Sequence, residues 1–127
     1  MKSRRPIRET TYVAMLSSED RRRHSHATQA GRVLRFTIQY ETLVGDRWLP
    51  VVRYDCAHGA AHKDVLDIRG REEKHLLGVS DLREAMAVAD ADIRQNWERY
   101  KNASYRQGDR NDETRDVRTE PATVDRV

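Results

Sequence analysis

From Leu34 to Glu41 the chain alternates apolar and polar side chains, with Leu34, Phe36, Ile38 and Tyr40 set against Arg35, Thr37, Gln39 and Glu41. A period of two places each set on one face of a strand, so the pattern predicts a β-strand half buried on one side. Val44-Gly45-Asp46-Arg47 carries a turn signal, and Trp48 to Tyr54 follows as a second strand. A short turn between adjacent strands predicts an antiparallel hairpin. Pro50 has no N–H to give, so it belongs at a bulge, a strand start or an unpaired edge. Lys63 to Ile68 reads as a third strand, Arg69-Gly70 as a tight turn and Glu73 to Leu77 as a short fourth strand.

The last element has the period of a helix. Leu82, Ala85, Met86, Ala89, Ile93, Trp97 and Tyr100 fall on one stripe. Ser80 or Asp81 can cap it, and Glu84 stands three residues after Asp81 as in a capping box. The stripe must pack on the face that carries Phe36, Ile38 and Tyr40, and the helix is expected to fade near Lys101 to Ser104. The fold class is therefore α+β: a three- or four-stranded antiparallel meander packed by one long C-terminal helix, with flexible tails.

Composition adds the tails. The charged fraction is 35% and the hydrophobic fraction 37%, which predicts a small core and solvated ends. Residues 1–31 hold seven Lys or Arg and three acids, residues 32–103 twelve of each sign, and residues 104–127 five Arg and six acids. The expected organisation is a basic, mostly disordered arm over 1–31, an α+β domain over 32–103 and a disordered charged tail over 104–127. The pI of about 9.2 comes from the arm. The neutral centre argues against a basic recognition face, while the arm offers weak, salt-sensitive contact to RNA or another polyanion. One cysteine, Cys56, excludes an intrachain disulfide. No apolar run approaches the ~20 residues that span a bilayer, and no secretory leader is evident, so a soluble cytoplasmic protein is expected, without membrane contact.

Candidate chemistry concentrates between Arg53 and Asp64, where Arg53, Asp55, Cys56, His58, His62, Lys63 and Asp64 lie within twelve residues. Histidine titrates nearest neutrality, so His58 and His62 are a candidate acid/base pair. Arg53 or Lys63 would clamp a phosphate and Asp55 or Asp64 would orient a ring. The plainer alternative is a polar connection whose charges form surface ion pairs of little energetic consequence. His58 and His62 lack the Glu of a His-Glu-x-x-His signature, and no metal or other cofactor is expected. His24 and His26 form an isolated His-x-His in the arm, His75 is expected at the surface, and packing is the better account of Cys56. Phosphate-cradling glycine loops, Cys-x-x-Cys pairs and Gly-x-Ser-x-Gly elbows do not occur.

The run from Arg35 to Tyr100 resembles a family of short uncharacterised bacterial and archaeal proteins. The likeness rests on the hairpin, the Val-Val-Arg-Tyr-Asp-x-Ala-His-Gly-x-x-His-x-Asp segment, the Gly70 turn with Glu73 and Lys74, and the helix ending Asn96-Trp97-Glu98-Arg99-Tyr100. It brings no activity with it. More distantly the chain is similar to TumE-type toxins of toxin–antitoxin pairs, which carry a denser histidine cluster where this chain has His62-Lys63-Asp64. Two functions follow as expectations. The first is a non-catalytic module that presents a sheet edge or helix to a protein partner. The alternative is a toxin-like, metal-independent ribonuclease that uses His58 and His62.

Overall fold

The computed structural model describes residues 5–57 and 59–113. Among them, six strands run β1 (Ile7–Ser17), β2 (Asp20–Gln29), β3 (Arg32–Val44), β4 (Arg47–Ala57), β5 (Ala60–Leu66) and β6 (Glu72–Leu76), followed by the helix α1 (Leu82–Glu113). The strands form one sheet in sequence order, and every neighbouring pair is antiparallel. The fold is α+β, as the patterning predicts, but the sheet has six strands instead of three or four.

The two additional strands come from the segment expected to be an unstructured arm. β2 reads Asp-Arg-Arg-Arg-His-Ser-His-Ala-Thr-Gln and has no apolar face. Its burial comes from pairing: Arg22 Nε meets Asp90 of the helix at 2.9 Å, and Arg21 Nε meets Glu41 of β3 at 2.6 Å. Arg23 also lies 3.8 Å from Glu41. Arg21, Arg22 and Arg23 of the basic arm thus lie within ion-pair distance of acids of the same chain.

Turn chemistry sets the meander. Ala30 and Gly31 close the β2–β3 turn with φ of 52° and 81°. Two positive φ values between paired Gln29 and Arg32 make a type I′ turn, whose twist suits a hairpin. Between β3 and β4, Gly45 alone has positive φ, at 66°, which is the type II′ arrangement with glycine first. Before β6, the Asp67 carboxylate accepts from the N–H groups of Arg69 and Arg71 at 2.9 and 3.1 Å and holds the Gly70 turn.

Two bulges adjust the predicted alternation. The β2–β3 register shifts between Ala27 and Thr28, opposite Leu34, so Leu34 leaves the apolar row and is exposed. The β3–β4 register shifts at Tyr40/Glu41, beside Pro50 and Val51, which accommodates the missing proline donor.

The core lies between one sheet face and α1. Phe36, Ile38, Tyr40, Val52, Tyr54 and Ala61 are buried there against Ala85, Ala89 and Ile93, with Leu82, Met86, Trp97 and Tyr100 packed at the margin. The predicted stripe is the observed one. Asp81 caps the helix, accepting from Arg83 N–H at 2.9 Å and Glu84 N–H at 3.4 Å. The helix continues past the expected fade point to Glu113, because Lys101 and Ser104 still have partners or packing on the sheet side. Residues 114–127 of the expected tail, and residues 1–4, lie outside the described residues.

α1 packs on β3, β4 and β5. The rest of the sheet extends beyond the helix on both sides, which leaves β1 and β6 as the two edges.

Candidate functional site

Strand alternation divides the predicted catalytic set. Residues paired across a ladder share a face, and successive residues point to opposite faces. Tyr54 pairs with Lys63 on the helix side, whereas Arg53 with Asp64 and Asp55 with His62 lie on the open side. Lys63 is therefore on the opposite side of the sheet from Arg53, Asp55 and His62. His58 lies outside the described residues.

On the open face, charges form a continuous ladder across five strands. From Glu41, with its Arg21 and Arg23 contacts, the chain of contacts runs through the Gln39 amide to Arg53, whose Nε donates to Gln39 Oε1 at 2.7 Å. Arg53 Nη1 lies 3.8 Å from Asp64, Lys74 Nζ lies 3.4 Å from Asp64, and Lys74 also lies 3.3 Å from Glu72. Glu41 and Asp64 are buried although α1 does not cover this face. The aliphatic stems of the neighbouring cations shield them. Arg21 also stacks over Trp48 at 4.0 Å. In this arrangement the Glu41 and Asp64 carboxylates are committed to cations, which leaves them poor candidates for a general base.

On the helix side, Lys63 joins a closed polar network. Its Nζ donates to the Tyr100 hydroxyl at 2.6 Å and stands 4.8 Å from the Tyr100 ring centre. Tyr100 and Tyr54 both donate to Asp92, as does Asn96 at 2.7 Å. Burial alone would raise the Asp92 carboxyl, but these hydrogen bonds and the Lys63 charge outweigh it and hold the group below its ordinary value. Burial and the Asp92 charge push both phenols up, so they stay protonated donors.

A second buried carboxylate locks the first hairpin to the core. Asp20 accepts from Ser17 Oγ at 2.6 Å and Tyr40 OH at 2.6 Å, and Lys101 Nζ lies 3.2 Å away. Burial opposes its charge, but hydrogen bonds from Ser17, Tyr40, Thr42 and Lys101 win and keep it ionised to low pH. Further along β2 the His24 and His26 rings meet, Nε2 to Nδ1 at 2.7 Å, and Tyr12 of β1 stacks on His24 with centroids 4.6 Å apart. Burial, then the His26 charge, depresses the His24 pKa. Among the described residues no three His, Cys, Asp or Glu side chains gather to hold a metal ion. Cys56 is half-buried, and its Sγ accepts from Phe36 N–H at 3.2 Å. His75 is exposed beside Glu73.

The apolar run from Tyr12 to Leu16 suggests a short strand or helical turn docked on the core; the structure makes it part of a long edge strand, β1. β1 is an eleven-residue strand that is exposed over most of its length, and Ile7, Val13 and Met15 are each about half exposed or more, at 49%, 50% and 56%. β6, the other edge, has five residues, of which Glu72, Glu73, Lys74 and His75 are charged or titratable. The sequence signal for β1 was the β-prone run Thr10-Thr11-Tyr12-Val13, and for its partner the Ala30-Gly31 turn.

The model of a family described as domain of unknown function DUF7718 matches residues 7–111. The chain belongs to the DUF7718 family. The match begins at the first residue of β1, so the DUF7718 domain includes the N-terminal hairpin. No curated protein and no solved structure matches the chain. Among the described residues, no helix of this DUF7718 member is long and apolar enough to cross a membrane.

Proposed function

We propose that this chain is a non-catalytic protein-interaction module, and that its contact surface is the outer edge of β1. The observation that carries this reading is the contrast between the two edges. A long edge strand exposes a row of unpaired N–H and C=O groups, and proteins ordinarily guard it by shortness, charge, proline or a bulge. β6 is short and charged, whereas β1 is eleven residues long, carries only the charges of Arg8 and Glu9, and is irregular only near its end, between Met15 and Ser17. Glu9 is itself held by Arg35 at 2.7 Å. An edge of this kind binds by adding a strand.

The alternative, a TumE-like ribonuclease working in the cytoplasm through His58 and His62, draws less support. Of its two proposed phosphate clamps, Lys63 faces the helix and is engaged by Tyr100, while Arg53 shares the open face with His62 but is held by Gln39 and Asp64.

Two photoreactive residues, one replacing Val13 on β1 and one replacing His75 on β6, separate the readings in the producing cell. Val13 is expected to crosslink to a defined polypeptide, a second copy of the chain included, and His75 is not. That polypeptide, identified and purified, should bind the wild type and His62→Ala but not Thr11→Lys. Capture from neither position, or binding lost with His62→Ala, overturns the module. RNA cleavage by the folded wild type that vanishes in His62→Ala puts the ribonuclease in its place.

A further inference from the structure

We infer that β1 pairs antiparallel with β1 of a second copy of this chain, in the register that sets Thr11 opposite Thr11 of the copy across a two-fold axis. This rests on the interaction reading above and names its partner.

Side-chain complementarity selects the register. With Thr11 on the axis, Ile7 stands opposite Met15 of the copy, Arg8 opposite Ala14, Glu9 opposite Val13 and Thr10 opposite Tyr12. The exposed apolar pair Ile7 and Met15 then meets twice on the open face, a threonine pair sits at the centre, and no like charges face each other. Moving the axis to Tyr12 sets Met15 against Glu9 and Leu16 against Arg8. Moving it to Thr10 sets Ala14 against Pro6, which has no N–H to donate, and Met15 against Arg5. The Thr10 register also joins Ile7 to Val13, but the Thr11 register alone of the three gives Met15 an apolar partner and keeps Pro6 out of the ladder.

Closure selects the occupant. A strand donated by an unrelated peptide would cover β1 but leave its own far edge open. A second copy consumes both unguarded edges at once. The result is one twelve-stranded sheet ended on both sides by β6, the strand that already carries charge and is short. Such an isologous contact terminates itself and does not grow into a fibre. The same pairing would bring together the two Tyr12–His24 stacks, which lie at the β1–β2 end of the sheet.

Light scattering coupled to size exclusion on the full chain at micromolar concentration tests the inference. The wild type is expected at twice the chain mass. Thr11→Lys is expected at the monomer mass with an unchanged circular dichroism spectrum, because Thr11 is exposed in the single chain and the substitution places two ammonium groups on the axis. Thr11→Cys should form a disulfide-linked dimer under mild oxidation that Val13→Cys and the wild type, which keeps Cys56, do not. A monomeric wild type, or a dimer indifferent to Thr11→Lys, overturns the self-pairing. If the wild type is monomeric while the Val13 photocrosslinker captures a different polypeptide that Thr11→Lys no longer binds, the module reading stands and the second copy is the wrong partner. Capture by neither position removes both.

Discussion

Replacing Asp20 by alanine should be among the most damaging single changes in this protein. Asp20 is 1% exposed and joins three elements: Ser17 of β1, Tyr40 of β3 and Lys101 of α1. Removing the carboxylate strands a buried phenol and a Lys101 amine that is largely covered. Breaking a buried charged pair by deleting one partner costs about 3–5 kcal/mol. A domain of this kind has roughly 5–15 kcal/mol in all, so the loss is a large share of the total. Tyr40→Phe removes only one hydrogen bond to a charged acceptor and should cost about 1.5–3 kcal/mol. The double variant should be less unstable than the two losses added, by roughly 1–2 kcal/mol, because it no longer leaves the hydroxyl unsatisfied. Urea unfolding followed by circular dichroism and tryptophan emission measures all three, with Trp97 5.9 Å from the Tyr40 ring as a local reporter. An Asp20→Ala loss below about 1 kcal/mol, or strict additivity of the pair, would refute the assignment of Asp20 as the bolt between hairpin and core.

Three further outcomes are expected. Ile93→Ala, at a fully buried position facing the sheet, should cost about 2–5 kcal/mol by cavity formation, read from the urea midpoint. Ala30→Asn should stabilise the protein by roughly 0.5–1 kcal/mol, since alanine is strained at φ 52° in a type I′ turn that favours Asn-Gly; an unchanged or lower melting temperature speaks against the turn assignment. His24 has a folded-state pKa below its ordinary 6.5, so the unfolded chain binds more protons between those two values. Its contribution to stability is complete above pH 6.5 and is lost as pH falls through the depressed value. The difference in stability between wild type and His24→Gln should therefore shrink in that window. Asp20 and Asp92 add a second loss at lower pH, complete above 3.8 and removed as each depressed pKa is crossed. A His24→Gln profile parallel to wild type across pH 5–7 would exclude the first step.

Local patterning sufficed for the β3–β4 hairpin, the short strands after it and the helix from Leu82 to Tyr100. Their apolar residues recur at periods that only one backbone conformation can place on a single face. Phe36, Ile38 and Tyr40 did lie against Ala85, Ala89 and Ile93. Periodicity was silent on β2 because its burial is electrostatic: Arg22 is inside because Asp90 is opposite, a relation between residues sixty-eight positions apart that no local pattern records. β1 followed β2 into obscurity, since an edge strand needs only one neighbour. The clustering of Arg53, Asp55, His62 and Lys63 in sequence was equally uninformative about space, because a strand sends adjacent side chains to opposite faces and a helix then covers only one of them. Only the folded chain put Lys63 with Tyr100 and Asp92, used Asp20 to tie the first hairpin to the core, and made a long, sparsely charged strand one edge of the sheet and a short, charged one the other. These are properties of pairing partners, and partners are chosen only when the whole chain has closed.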